Sequence, residues 1–201
     1  MNFNIQPINF NIANVRFKSN SNISQPKGSD FERNPKMDSF EMSIGYVNDA
    51  HGQTNNMMRI LSGIKGDLKL SAGDNDIGDE KNDAIHQATT KFLNIADIKA
   101  SALGNHEIDM SQKDCIDAIN RFNGLMLSIN FEQIPLEEQD PEDIQKYGRA
   151  DLKNHLTKSA VVEVKGEKIG LIGASPIDMM SRLTHPNYYT DCSVDDLDDT
   201  I

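Results

Sequence analysis

A chain of 201 residues with 37% hydrophobic content is long enough for one ordinary domain, or for most of a larger one. Its formal charge of -11, from 31 acidic against 20 basic residues, repels phosphate backbones and argues against an extended nucleic-acid surface. No apolar run approaches the roughly 18 residues that span a bilayer, and "MNFNIQPINF" lacks the basic start and apolar core of a signal peptide. The expected location is cytoplasmic as written, or exported if the N-terminus is incomplete. Cys115 and Cys192 form no CxxC pattern, so they are expected as free thiols without a role.

Residues 1–40 are rich in Asn, Ser and Lys, and "KSNSNISQPKGSD" shows no helical or strand period, which predicts a flexible leader ahead of a domain over 41–201. From Met42 the texture changes. "MSIGYV" is a short strand candidate, "NDAHGQTN" a polar loop, and "NMMRILSGI" places Met58, Leu61 and Ile64 at helical spacing. The same unit recurs as "LKLSA", "GDNDIGDEKND" and "AIHQATTKFLNIA", and again as "IKASAL", "GNHEIDMSQKD" and "CIDAINRFN", with "LMLSIN" as a fourth strand. Strands alternating with helices predict a layered α/β fold with a largely parallel sheet.

The acidic, proline-punctuated stretch "QIPLEEQDPEDIQKYGRADLKNH" predicts an excursion with at most a short helix. "SAVVEVKGEKIGLIGAS" predicts a β-hairpin turning at Gly166. In "SVDDLDDTI", Ser193 stands three residues before Asp196, close to a capping box, so a helix is expected to begin there and the chain is expected to be a fragment.

Three polar clusters follow three strand candidates: "NDAHG", "GDND" and "GNHEID". Loops at the carboxyl ends of parallel strands converge on one crevice, so the clusters are expected to meet. Asp49, His51, Asp74 and Asn105 then supply carboxylate, imidazole and amide donors, a mixture suited to Mn, Zn or Fe ions. Singly, each motif is common: Asp-x-His arises by chance, Gly-Asp is a turn, and Asn-His can be a helix cap.

Together and in order, "D-A-H", "G-D" and "G-N-H-E" resemble the signature of the calcineurin-like metallophosphoesterase superfamily. "NDAHG", "SAGDNDIG", "ALGNHEID", "LSIN" and "KIGLIGAS" are similar to the 5'-nucleotidase branch, over Ser43 to Ser175. The resemblance implies a metallophosphoesterase-type sheet sandwich flanked by helices, incomplete at the C-terminus. It implies that Asp49 and His51 bind one divalent ion, that Asp74 bridges to a second, and that Asn105 binds the second. His106 would be the catalytic imidazole, as a cation steadying phosphoryl oxygens and the leaving group, and Asp109 would orient it. Asn105 and His106 would also touch substrate, and Glu107 would serve a structural hydrogen bond to a neighbouring loop. The implied reaction releases phosphate from nucleotides by a metal-activated hydroxide, without a protein nucleophile.

The family pattern continues with a strand-end histidine, a G-H-x-H element and a C-terminal substrate domain, and this sequence has none of them. His86, His155 and His185 lack the expected context and are expected at the surface. Asp74 and Asn105 alone fall short of the usual three protein ligands for a second ion, so this chain is expected to hold one ion at most and to turn over poorly. The alternatives are a catalytically incomplete binding or interaction domain, or another branch such as a cyclic-nucleotide phosphodiesterase or nucleotide-sugar hydrolase. Met57, Met58, Met179 and Met180 are expected as core filler, and Gly170 and Gly173 as packing sites against a helix.

Overall fold

A computed structural model of the chain describes residues 11–18, 39–53, 57, 63–76 and 83–200. Its centre is a five-stranded sheet in the order β1-β2-β3-β4-β5, built from β1 (Asn11–Lys18), β2 (Ser39–Val47), β3 (Leu68–Ser71), β4 (Ala100–Ala102) and β5 (Leu125–Leu127). β2 to β5 run parallel, as the repeated strand, loop and helix units predict. β1 joins antiparallel, with Asn11 opposite Tyr46 and Lys18 opposite Ser39. Residues 11–18 are therefore an edge strand rather than part of a flexible leader, and β2 begins inside the predicted leader as well. Within it "NVRFK" alternates polar and apolar residues, the period of a strand, over a span short enough to need the partner that β2 supplies.

Period-2 alternation divides the sheet into two faces. On one face Phe40, Met42, Ile44, Leu68, Leu70, Ala100 and Leu127 meet a hairpin of β7 (Ser159–Val164) and β8 (Glu167–Ile172), which contributes Ala160, Val162, Val164, Ile169 and Leu171. Lys165 and Gly166 form its two-residue turn with φ of 53° and 82°, and Val164 pairs directly with Glu167. Two positive φ values mark a type I′ turn, whose twist suits a hairpin. An apolar groove of about 430 Å³, lined by Tyr46, Leu70, Ala102 and Leu171 among others, stays open on this face.

On the opposite face Val47 and Ala50 pack with Met57, Leu93, Ala96, Ile98 and Phe122. This is the layer of α1 (Asp83–Ile95) and α2 (Gln112–Arg121). Ser111 caps α2 by accepting from the Asp114 N–H at 3.2 Å. Met57 and Gly63 are helical, while Met58 and Leu61 of the predicted helix lie outside the described residues. Among the described residues no helix is long and apolar enough to cross a membrane.

β6 (Phe131–Gln133) leads into the acidic excursion, which carries the short α3 (Pro141–Tyr147), capped by Asp140 and ended by Gly148 in the left-handed region. β6 pairs antiparallel with β9 (Cys192–Val194), so Ser193 is a strand residue opposite Glu132 and not a helix cap. The expected terminal helix does form, as α4 (Leu197–Thr200), with Asp196 accepting from the Asp198 N–H at 3.1 Å. Strand pairing to β6 took Ser193 and moved the cap to Asp196.

Asp67 ties the hairpin to the sheet, accepting from Ser43 N and Oγ at 2.8 and 2.9 Å and pairing with Lys165 Nζ at 2.6 Å. Lys165 first, then Ser43, lower its carboxyl from 3.8 to about 2. A depressed carboxyl stabilises the fold above its ordinary value and loses that contribution as pH falls through the folded value. Thermal unfolding of Asp67→Asn is thus expected to depend less steeply on pH than the wild type between about pH 4 and pH 2.

Candidate metal centre

The loops after β2 and β3 are laced together by their backbones: Asp49 N donates to Gly73 O at 3.1 Å, His51 N to Asp74 O at 3.1 Å, and Gly52 N to Asn75 O at 2.9 Å. This lacing twists the chain into a region that L-residues avoid. Asp49, His51 and Asp74 have φ of 52°, 46° and 53°. Non-glycine residues at positive φ cost energy and persist where surrounding structure imposes them, a pattern concentrated at functional sites.

Those three residues are the ones the motifs single out, and their side chains converge. One ligand atom from each of Asp49, His51 and Asp74 lies within 4.8 Å of the others. His51 Nε2 stands 3.7 Å from Asp49 Oδ1, too far for a hydrogen bond, and is a buried nitrogen without a partner. An orphaned imidazole nitrogen facing two carboxylates is electrostatically incomplete, and the donor set fits a divalent cation of the Mn, Zn or Fe type. Asn105, 8% exposed, opens the turn that follows β4, and its neighbour His106 donates its backbone N–H to the Asp74 carboxylate.

His106 joins the cluster through two contacts. Its backbone N donates to Asp74 Oδ1 at 3.1 Å, and its ring meets His51 edge-on with centroids 4.5 Å apart. Its Nδ1 lies 2.7 Å from Asp109 Oδ2, while Asp109, 1% exposed, accepts from Thr184 N at 2.6 Å through its other oxygen. Both oxygens of a buried carboxylate are thereby fixed, and the ring is fixed with them. Nδ1 is committed to Asp109, leaving Nε2 as the nitrogen free to act.

Glu107 lies outside the ligand cluster and braces it. Its Oε2 accepts from Asp74 N and Gly104 N at 3.0 and 2.8 Å, and its Oε1 from Asn75 N and Nδ2 at 2.7 and 3.1 Å. Burial raises its carboxyl from 4.5 to about 7 against the pull of these donors. The expected structural hydrogen bond is in fact four, and they bind the loop after β3 to the loop after β4. Gly104 allows the approach, since a Cβ there would collide with Asp74 Oδ1.

The other histidines divide. His155 is exposed, with Nδ1 3.3 Å from Asn120 Oδ1, and His185 is half-buried against Tyr188. His86, expected at the surface, is instead 4% exposed and paired with the buried Asp76 at 2.6 Å. Its position on α1 carried the signal: His86, Thr89, Thr90 and Leu93 follow the helical i, i+3, i+4, i+7 spacing and are all buried. The pair joins α1 to the loop that bears Asp74.

Two positioning residues in the quoted motifs received no role from the sequence. Asn130 of "LSIN" donates to Ser175 O and Asp195 O and accepts from Ser175 N, while Ser175 Oγ donates to Leu103 O at 2.9 Å. They knit the β5 loop to the hairpin exit and to the residue before Gly104. Met57 and Met179 are core, Met180 packs partly buried, and both cysteines are free, with burial holding each thiol protonated. Gly173 backs onto Leu127 of β5 rather than a helix, and Gly170 faces open space.

No protein-family model and no curated protein sequence matches the chain. Solved structures do match its fold. A 5'-nucleotidase precursor from Thermus thermophilus aligns over 78% of this chain and 32% of its own, at 21% identity and a TM-score of 0.55. A calcineurin-like phosphoesterase from Bacillus subtilis aligns over 78% of this chain and 55% of its own, at 15% identity and a TM-score of 0.50. The chain therefore spans about a third and about half of the lengths of these two proteins. A parallel sheet between a helical layer and a hairpin layer, with the polar loops at its strand ends, gives this chain the metallophosphoesterase fold.

Proposed function

We propose that the chain carries part of a hydrolytic phosphoesterase centre of 5'-nucleotidase type, releasing phosphate from nucleoside 5'-monophosphates or related nucleotides. The observation that carries the reading is the convergence of Asp49, His51 and Asp74, each held at positive φ, beside a histidine fixed by a buried aspartate. Asp49, His51 and Asp74 hold one divalent ion, and Asp74 with Asn105 offers the beginning of a second position. A divalent ion in such a place offsets the negative charge of a phosphate ester and acidifies water. His106, presented through Nε2 and held by Asp109, donates a hydrogen bond to a phosphoryl oxygen or to the departing oxygen. Glu107 and the backbone lacing keep the three loops after β2, β3 and β4 at fixed separation, so the donors need no rearrangement to receive the ester.

Among the described residues this is the one cluster of three or more such ligands, which favours a single firmly held ion. That count also supports the second reading, an interaction domain with half a metal site. Phosphate release from adenosine 5'-monophosphate, with a cyclic nucleotide and a nucleotide sugar in parallel, separates the readings when run with manganese. Slow release that requires both manganese and His106 supports the phosphoesterase reading; preference for the cyclic or sugar compound moves it to another branch. Manganese uptake without any hydrolysis favours the interaction domain.

A further inference from the structure

We infer that Arg182 is a phosphate-binding side chain of this site, an assignment that rests on the phosphoesterase reading and adds a cation that none of its motifs supplies. Arg182 ends a short 3-10 turn, Met179–Arg182, in a segment pinned on both sides to the loop that carries His106. Met179, 0% exposed, and Leu183, 9% exposed, pack with Leu103, Ile108 and Met110. Two residues beyond Arg182, the Thr184 amide donates to the carboxylate that orients His106. The segment is therefore part of the wall beside His106 and not a free loop.

The Arg182 side chain is 59% exposed, and its guanidinium is held in place by Asp178, whose Oδ2 accepts from Nε at 2.9 Å and from Nη2. Both bonds go to a single oxygen, and Nη1 has no acceptor among the described residues. A guanidinium fork with one edge anchored and the other in solvent is the arrangement that grips a phosphate through paired N–H donors. Asp178 first, through its hydrogen bonds and its charge, and Asp74 more weakly, raise the basicity of Arg182.

The chemistry needs such a group. In a chain of charge -11, Asp49 and Asp74 repel an incoming dianion, and a cation on the rim offsets that repulsion before His106 engages.

The test uses the full chain and titration calorimetry, first with Mn²⁺ and then with inorganic phosphate. Arg182→Gln is expected to leave Mn²⁺ affinity within about twofold and to weaken phosphate binding roughly tenfold or more, with Arg182→Lys in between. Lys113→Gln, which removes one exposed positive charge from α2, is expected to leave phosphate binding unchanged. Phosphate affinity unaltered by Arg182→Gln, an equal loss in Lys113→Gln, or a wild-type chain that binds no phosphate would each overturn the assignment. A wild-type chain that takes up no Mn²⁺ overturns the metal-centre reading instead. Phosphate is then titrated onto the metal-free chain, where the same comparison of Arg182→Gln with wild type sustains or overturns the role of Arg182.

Discussion

Glu107→Ala lowers the unfolding free energy by about 3 to 5 kcal/mol, the range of substitutions that strip a buried polar network of its acceptor. Glu107 is 7% exposed and its two oxygens take four hydrogen bonds, three of them from backbone N–H groups. Alanine leaves those donors facing a void, and each unpaired buried donor costs about 1 to 3 kcal/mol. Relief from burying a carboxylate works in the other direction, as the upward displacement of its pKa to about 7 shows. The donors outnumber that single relief, so the loss prevails. Glu107→Gln retains one oxygen and turns the other into a competing donor, which places it between alanine and wild type. Urea unfolding monitors the effect; a loss below about 1 kcal/mol for alanine would mean that the loops hold themselves without Glu107.

Asp74→Asn weakens binding of a divalent ion by roughly a hundredfold or more, because it removes the charge of a ligand and not merely its support. The change is small in shape. Asn Oδ1 can still accept from the His106 N–H, a bond of 3.1 Å in the wild type, so the turn after β4 is expected to persist. His106→Ala is the comparison: its ring touches His51 without belonging to the ligand cluster, so ion affinity is expected to change far less. Comparable ion affinity in Asp74→Asn and wild type, by calorimetry, would remove Asp74 from the site.

The parallel sheet, its helices and the hairpin were legible because apolar period and turn chemistry act over a few neighbouring residues. Gly166 after Lys165 specifies the hairpin turn locally, and β2 to β4 each end within two residues of a polar cluster. Long-range pairing was not legible. β1 reads as loop until β2 supplies its partner, and Ser193 reads as a cap until β6 draws it into a strand. Convergence of the three clusters followed from topology alone, since parallel strands bring their carboxyl ends to one edge. What no residue type announced was the scaffold behind it. The Thr184 amide that fixes Asp109 is a backbone group, and nothing in its side chain signals the bond. His86 was misplaced for a different reason: a histidine looks solvated unless its helical face is weighed, and that face also carries Thr89, Thr90 and Leu93.

The strain at Asp49, His51 and Asp74 connects these levels. Backbone lacing between the loops imposes the left-handed conformation, Glu107 and Gly104 hold the loops close, and the result is one imidazole nitrogen and two carboxylates facing one another. Without a cation, such an arrangement gathers negative charge against an unpartnered ring nitrogen. With one, each feature has a consequence. Titration of the full chain with Mn²⁺ by calorimetry is the most direct test: a single firmly bound ion per chain is expected, and no uptake, or two tight sites, would rule this centre out.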